Sequence, residues 1–224
     1  MNKKQFYFTL NLSIIVQIIT GIIGVLSLFV GVPETLKIIS QLLFLETFVQ
    51  IVEGVFYAWL VYNFNSIQNV TPKRYLDWII TTPTMLITLI AYLIYLKDKT
   101  DKHLDLYTVV RDNFDKILKV VLLNWLMLFF GYLGEENIIP TLLGVTLGFI
   151  PFLIYYYIIF ENYVSFDNYG WDLFLYFFFF WSLYGFVALM PYYAKNTFYN
   201  ILDLFSKNFF GLFLSYIIIS NNYQ

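Results

Sequence analysis

A lysine and an aspartate stand four residues apart in the last apolar segment of this chain. Asp203 and Lys207 therefore share one face of a helix, and Lys207 lies about halfway along the segment. An isolated ammonium at that depth has a large desolvation cost, and it is too deep to reach the membrane surface. Two explanations remain open: a structural ion pair with Asp203, or a covalent aldehyde adduct whose protonated imine needs carboxylate counterions.

The third apolar segment carries a second set of polar residues at helical spacing. Arg74 and Asp77 are three residues apart, and Thr81 follows Asp77 by four, so one helix face presents a guanidinium, a carboxylate and a hydroxyl. If Lys207 carried a protonated imine, its charge and that of Arg74 would balance Asp77 and Asp203. This balance makes burial of the four groups tolerable and favours the adduct.

The second apolar segment carries two glutamates on one face. Glu46 and Glu53 are seven residues apart, about 10 Å along a helix axis. Polar side chains in the first and last segments continue the pattern: Ser13, Gln17 and Asn200. Carboxylates beside a hydrated path select cations, so these five residues are a candidate ion pathway. Interhelical hydrogen bonding is the alternative, and it stays open for Ser13 and Gln17.

Composition limits the function classes. The 224 residues are 60% hydrophobic, 22% aromatic and 12% charged, whereas soluble domains have about 25% charged residues. The net charge of −2 offers no footprint for nucleic acid. The chain has no cysteine, and its single histidine, His103, lies in a charged loop. Thiol catalysis, a Ser-His site and a metal site are therefore not expected, and we do not expect an enzyme.

These residues must be positioned by membrane-spanning helices. A span needs about 20 apolar residues, and seven segments qualify: 8–30, 36–62, 73–96, 107–133, 137–160, 168–190 and 194–219. The fourth is charged in its first half, so we expect it to begin at the membrane interface. The prediction is an all-α, multi-pass membrane protein: a seven-transmembrane helix bundle, with residues 1–224 as a single domain in a lipid bilayer.

The loops give a weak orientation signal. Seven spans place the termini on opposite sides of the membrane. The loop 97–103 holds three lysines, and basic loops stay in the cytoplasm. We therefore predict an extracellular N-terminus and a cytoplasmic C-terminus.

Two motifs resemble the microbial (type 1) rhodopsin family. They are RYLDWIITTP at residues 74–83 and DLFSK at residues 203–207, and the family likeness covers nearly the whole chain. The resemblance implies all-trans retinal bound to Lys207 as a Schiff base, with Asp77 and Asp203 as counterions and Asp77 as the usual proton acceptor. Arg74 completes this group.

The resemblance also implies a retinal pocket. Its expected members are Trp78, Thr81, Thr82, Met127, Gly131, Trp181 and Tyr184, with Asn124 as a polar neighbour. Three positions depart from the family pattern. Gly185 replaces a frequent proline, Thr88 stands where many pumps have a carboxylate proton donor, and Lys195 lies near the position of a proton-release carboxylate. The last two departures argue against an efficient proton pump.

Repeated glutamates in the second span resemble the channelrhodopsins, and the short loops resemble rhodopsins of giant algal viruses. The leading expectation is a light-gated cation channel in a host cell membrane, with small cations or protons as the transported species. The alternatives are an outward proton pump, a photosensor, and a non-photochemical transporter or scaffold. The family resemblance also allows a homo-oligomer.

Overall fold

The protein folds as a bundle of long helices. The computed structural model describes residues 1–166 and 169–221. Within them lie the helices α1 Lys3–Leu28, α2 Lys37–Asn63, α3 Thr71–Lys97, α4 Leu106–Asp112, α5 Phe114–Glu135, α6 Thr141–Tyr163, α7 Gly170–Ala188, α8 Tyr192–Asp203 and α9 Phe209–Asn221. A 3₁₀ turn, Glu34–Leu36, precedes α2, and a π-helical segment, Leu204–Asn208, joins α8 to α9.

Seven helical stretches in the described part of the chain are long and apolar enough to cross a membrane. The seventh combines α8, the π segment and α9 as Tyr192–Asn221. Neighbouring spans pack in chain order, and the seventh packs back against α1 and α2, which closes the ring. The all-helical, seven-span prediction is confirmed, and the chain is an integral membrane protein. The N-terminal side denotes the membrane face where α1 begins, and the C-terminal side the face where α9 ends.

Several span ends differ from the sequence prediction. The predicted fourth span, 107–133, is broken at Asn113 into α4 and α5. Asp105 caps α4 by accepting a hydrogen bond of 2.8 Å from the Thr108 amide, which starts a separate short helix before the membrane span. We expected a break at residues 134–136, but α5 continues through Glu135. The predicted sixth span starts at residue 168, which lies outside the described residues, and α7 begins at Gly170.

The interior of the bundle is divided by polarity. On the C-terminal side, apolar side chains from α2, α3 and α9 are fully buried together, among them Ile39, Leu42, Leu89, Leu93, Leu214 and Ile218. We call these six residues the apolar plug. The buried charged side chains lie at mid-depth and toward the N-terminal side, where a second apolar cluster that includes Phe6, Leu60 and Phe64 is also buried. Large apolar residues on the outer faces are exposed, as a surface in contact with lipid requires.

Candidate functional site

The Lys207 ammonium is surrounded by three carboxyl groups. Its Nζ lies 2.5 Å from Asp77 Oδ2, 3.6 Å from Glu53 Oε1 and 3.7 Å from Asp203 Oδ1. All four side chains are buried. The Asp203–Lys207 contact expected from the i, i+4 spacing therefore exists. The shortest contact of the ammonium, however, is with Asp77 of α3. Glu53 of α2 is a third carboxyl, which the charge balance drawn from the sequence did not include.

Asp203 is held by donors from three helices. Its carboxyl oxygens accept hydrogen bonds of 2.6 Å from Tyr57 Oη and 2.6 Å from Tyr184 Oη. Arg74 Nη1 lies 3.6 Å away, and the Tyr184 hydroxyl is also 2.6 Å from Ser206 Oγ. Hydrogen bonds to the charged form stabilise a buried carboxylate, and the two tyrosine hydroxyls supply such bonds to Asp203.

Arg74 is tied to two asparagines of α8. Its Nε donates to Asn196 Oδ1 at 3.0 Å, and its Nη2 donates to Asn200 Oδ1 at 2.5 Å. The Asn200 amide donates to Thr9 Oγ1 at 3.0 Å, and Ser13 Oγ donates to the Asn200 carbonyl at 3.1 Å. Ser13 and Asn200 were predicted to line an ion path. In the structure both residues take part in a hydrogen-bonded layer on the N-terminal side, formed by Thr9, Ser13, Arg74, Asn196 and Asn200, which we call the Arg74 layer.

Four polar side chains between α1, α2 and the seventh span have buried atoms without a hydrogen-bond partner among the described residues. These atoms are both carboxyl oxygens of Glu46 and of Glu53, the amide atoms of Gln17 and the Gln50 Oε1. Thr88 of α3 lies beside Glu46. Buried polar groups are normally satisfied by protein or by water, so this row of atoms marks a place for water or ions.

A cavity extends from Lys207 between α3, α5, α6 and α7. It is lined by six of the seven predicted pocket residues: Trp78, Thr82, Met127, Gly131, Trp181 and Tyr184. Thr81 is not among the lining residues, and its buried hydroxyl donates to the Asp77 carbonyl of the same helix at 3.0 Å. The lining is aromatic and apolar apart from Lys207 and a few hydroxyls, which suits an elongated apolar group attached at Nζ.

Two glycines leave the room that such a group needs. A Cβ on Gly131 would lie 2.6 Å from Tyr75 Oη, and a Cβ on Gly185 would lie 2.6 Å from the Phe149 ring. Tyr75, Phe149 and Gly185 all line the cavity. The observed residues therefore fit retinal. The Gly185 departure has a steric account, since a Cβ at this position would meet the Phe149 ring, which lines the cavity.

Sequence reasoning missed several members of the site. Tyr75 and Tyr199 line the cavity, but single tyrosines among 20 carry no signal. Lys195 forms a buried ion pair with Glu135, with Nζ–Oε distances of 2.8 and 3.0 Å. A signal for Glu135 existed, because it follows Gly131 by four residues and so shares that face of α5.

Comparisons with known proteins agree with this geometry. The sequence profile described as "bacteriorhodopsin-like protein" matches residues 8–221. The crystal structure of viral rhodopsin OLPVRII is similar, with a TM-score of 0.85 and 27% identity over 96% of this chain and 98% of that one. No curated protein sequence matches the chain.

Two more distant crystal structures share the fold alone. The thermophilic rhodopsin from Rubrobacter xylanophilus has a TM-score of 0.76 at 17% identity, covering 97% of this chain and 98% of that chain. Xanthorhodopsin, a light-driven ion pump with dual chromophore, has a TM-score of 0.76 at 17% identity, covering 99% of this chain and 95% of that chain.

Proposed function

We propose that this chain, which belongs to the bacteriorhodopsin-like family of microbial rhodopsins, is a light-gated cation channel with all-trans retinal bound to Lys207. The family and the viral neighbour support a retinal photoreceptor or ion transporter in a lipid bilayer. The observation that carries the channel proposal is the row of buried, unpartnered polar atoms of Gln17, Glu46, Gln50 and Glu53. This row reaches the Lys207 ammonium through Glu53, at 3.6 Å.

When bound, retinal supplies the absorption of light and a light-driven change of shape. The chain supplies the rest of the site. Lys207 Nζ is the point of attachment as a Schiff base, and its proton faces Asp77 Oδ2 at 2.5 Å. That distance suits a direct transfer of the proton to Asp77. Asp203 keeps its charge, because two tyrosine hydroxyls and Arg74 stabilise it.

Charge balance assigns a proton to Glu53 in the dark. The cluster holds two positive groups, at Lys207 and Arg74, and three carboxyls. An unbalanced buried charge is costly, so one carboxyl is neutral. Asp77 and Asp203 are each stabilised by short hydrogen bonds, whereas neither oxygen of Glu53 accepts one from the described residues. Glu53 is therefore the neutral acid of the three.

Proton transfer from Lys207 to Asp77 changes this balance and opens the path. The transfer removes the positive charge beside Glu53 and neutralises Asp77, so the contacts that hold α2 against the seventh span weaken. Water and cations then enter along Gln17, Gln50 and Glu46. The flow is passive and follows the electrochemical gradient.

The orientation and extent of the domain are part of the proposal. With the N-terminus extracellular, the Arg74 layer faces outward and the apolar plug faces the cytoplasm. Residues 1–224 act as one retinal-binding domain, and the membrane is that of a host cell, in line with the viral neighbour.

One observation favours an outward proton pump as the second candidate. Glu46 is buried beside Thr88, the position where many pumps carry their proton donor. In the proposed orientation Glu46 lies on the cytoplasmic side of Lys207, because Gly211, one turn beyond Lys207, would bring a Cβ within 3.8 Å of the Glu46 Cβ. A neutral Glu46 there could return a proton to the Lys207 nitrogen from the side opposite Arg74.

Voltage-clamp recording under illumination separates the two candidates. For a channel, the photocurrent reverses sign when the driving force for sodium or protons reverses, because the flow is passive. Lys207→Ala, which removes the attachment atom, serves as the unpigmented control. A photocurrent that stays outward at every voltage and gradient would reject the channel and support the pump.

A further inference from the structure

The π segment Leu204–Asn208 holds the backbone that carries Lys207. A π turn contains one residue more than an α turn, so its amides bond one residue further back and a neighbouring carbonyl loses its usual partner. No water satisfies such a carbonyl inside a bilayer, where an unpaired backbone group costs several kcal/mol. The partner therefore has to be a side chain.

Two side chains supply these bonds. Tyr176 of α7 donates its hydroxyl to the Phe205 carbonyl at 2.7 Å. Asn208 donates its amide to the Asp203 carbonyl at 3.4 Å, and its own oxygen accepts from Thr20 of α1 at 2.7 Å. The segment is thus bonded to α7 through one residue and to α1 through another.

The ring of Tyr176 is fixed independently of its hydroxyl. It lies 4.6 Å from the Phe180 ring and 4.5 Å from the Phe209 ring, measured between centroids. Phe180 in turn stacks on Phe205 at 5.2 Å. Removing only the hydroxyl therefore leaves the aromatic packing in place and takes away one hydrogen bond to the π segment.

A π bulge can move along a helix without any change in chain length, because each shift only exchanges one set of backbone bonds for another. A shift past Lys207 would rotate its side chain by about 100°, the angle per residue of a helix with 3.6 residues per turn. Since Phe205 is two residues before Lys207, a bond to its carbonyl opposes such a shift at the place where it matters most.

We propose that Tyr176 is a positioning residue, whose hydrogen bond to the Phe205 carbonyl pins the π segment and so keeps the Lys207 Nζ against Asp77. The functional part of this inference rests on the proposed role of Lys207 as the retinal attachment site. The structural part concerns the amine itself and holds for the protein without retinal.

The test compares Tyr176→Phe with Tyr216→Phe, a lipid-exposed tyrosine of α9, as the matched control. Solid-state NMR of ¹⁵N-labelled lysine reports the Nζ of Lys207, whose signal is identified by its loss in Lys207→Ala. In Tyr176→Phe without retinal, we expect this signal to shift or broaden because the contact with Asp77 loosens. Tyr216→Phe should keep the wild-type signal.

The absorption and the photochemical kinetics of the pigment provide a second measurement. With retinal added, Tyr176→Phe should shift the absorption maximum and change the rate of proton transfer to Asp77 by roughly three- to tenfold, the effect of losing one hydrogen bond. A lower melting temperature with unchanged ¹⁵N signal, absorption and rate would show a merely structural bond and overturn the proposal. Wild-type protein that forms no pigment would instead reject the proposed function, while the ¹⁵N comparison would still decide the role of Tyr176.

Discussion

Glu53 accepts no hydrogen bond from the described residues, although it lies 3.6 Å from the Lys207 ammonium. Asp77 and Asp203, by contrast, accept bonds of 2.5 and 2.6 Å. The three carboxyls are close in space yet differ in their donors, and donors decide which buried acid stays ionised. We therefore expect individual hydrogen bonds to determine which of the three carboxyl groups carries a proton.

Glu53→Gln should leave the absorption maximum of the dark pigment unchanged at neutral pH, because glutamine resembles a neutral acid in shape and charge. Asp77→Asn should move the maximum to longer wavelength, since it removes a negative charge that stabilises the protonated Schiff base in its ground state. Absorption spectra of the purified pigments make this comparison. A shift in Glu53→Gln as large as that in Asp77→Asn would show that Glu53 is charged in the dark.

Gly185→Ala should impair pigment formation. The added Cβ would lie 2.6 Å from the Phe149 ring, so this ring, which lines the cavity, must move, and such overpacking costs about 1–3 kcal/mol. Gly31→Ala is the control, because a Cβ there meets no heavy atom within 4 Å. Retinal titration followed by absorbance gives the yield, and equal yields in the two variants would contradict the steric argument.

Individual site residues could be predicted from the sequence where their residue type is rare in a membrane span because its burial is costly. A lysine and an aspartate in an apolar run have few explanations, so Lys207, Asp77 and Arg74 could be grouped from spacing, and the structure brings them together. Tyr75 and Tyr199 could not be found this way, because tyrosine is common in this chain and only their neighbours in space give them a role. Thr81 was predicted to lie in the pocket but is not among the residues that line the cavity, since spacing fixes a helix face but not which neighbouring helix that face meets.

At the scale of helices, α5 and α8 are joined near the N-terminal side by Glu135 and Lys195. Their side chains are only 6% and 11% exposed, so the ion pair is largely shielded from solvent. A desolvated pair contributes little net stability, but removal of one partner leaves an uncompensated buried charge.

Lys195→Met should therefore destabilise the protein by about 3–5 kcal/mol, because Glu135 is left without its partner. The double variant Glu135→Met with Lys195→Met should recover most of this loss. Thermal unfolding in detergent measures both. A double variant that is no more stable than Lys195→Met would show that the pair itself, and not the unpaired charge, determines stability.

The existence of the helices was predictable, and their irregularities were not. A single run of about 20 apolar residues is stable in lipid only as a helix, because a helix pairs its own backbone groups. All seven spans therefore follow from composition. The break at Asn113 and the π segment at Lys207 depend on which side chains can satisfy freed backbone groups. For the π segment one such partner is Tyr176 of α7, which donates to the Phe205 carbonyl, and a partner on another helix has no local sequence signal.

On the scale of the whole molecule, the buried charged groups and the apolar plug lie at different depths across the membrane. The Arg74 layer crosses the N-terminal side with hydrogen bonds, and the apolar plug fills the C-terminal side. For the proposed channel we expect the plug to be the main barrier in the dark, because it excludes water, whereas water can also bond to the polar groups of the Arg74 layer.

Leu42→Asn, a polar substitution in the plug, should raise the dark conductance of the protein in planar bilayers, since an amide admits water to the C-terminal side. Leu153→Asn is the control, because Leu153 is 53% exposed on an outer face of α6. An increase in dark conductance that is equal in the two variants would indicate general loosening. No increase in Leu42→Asn would show that the Arg74 layer alone keeps the path shut.

The two halves of the seventh span also differ mechanically. Among the described residues, α8 is fastened by interhelical hydrogen bonds through Lys195, Asn196, Asn200 and Asp203, whereas α9 is surrounded chiefly by apolar contacts. The π segment joins α8, which is held by hydrogen bonds to other helices, to α9, which is held mainly by apolar packing. A displacement that begins at Lys207 should therefore propagate along α9 rather than α8, so the fold itself gives the light-driven motion a direction across the membrane.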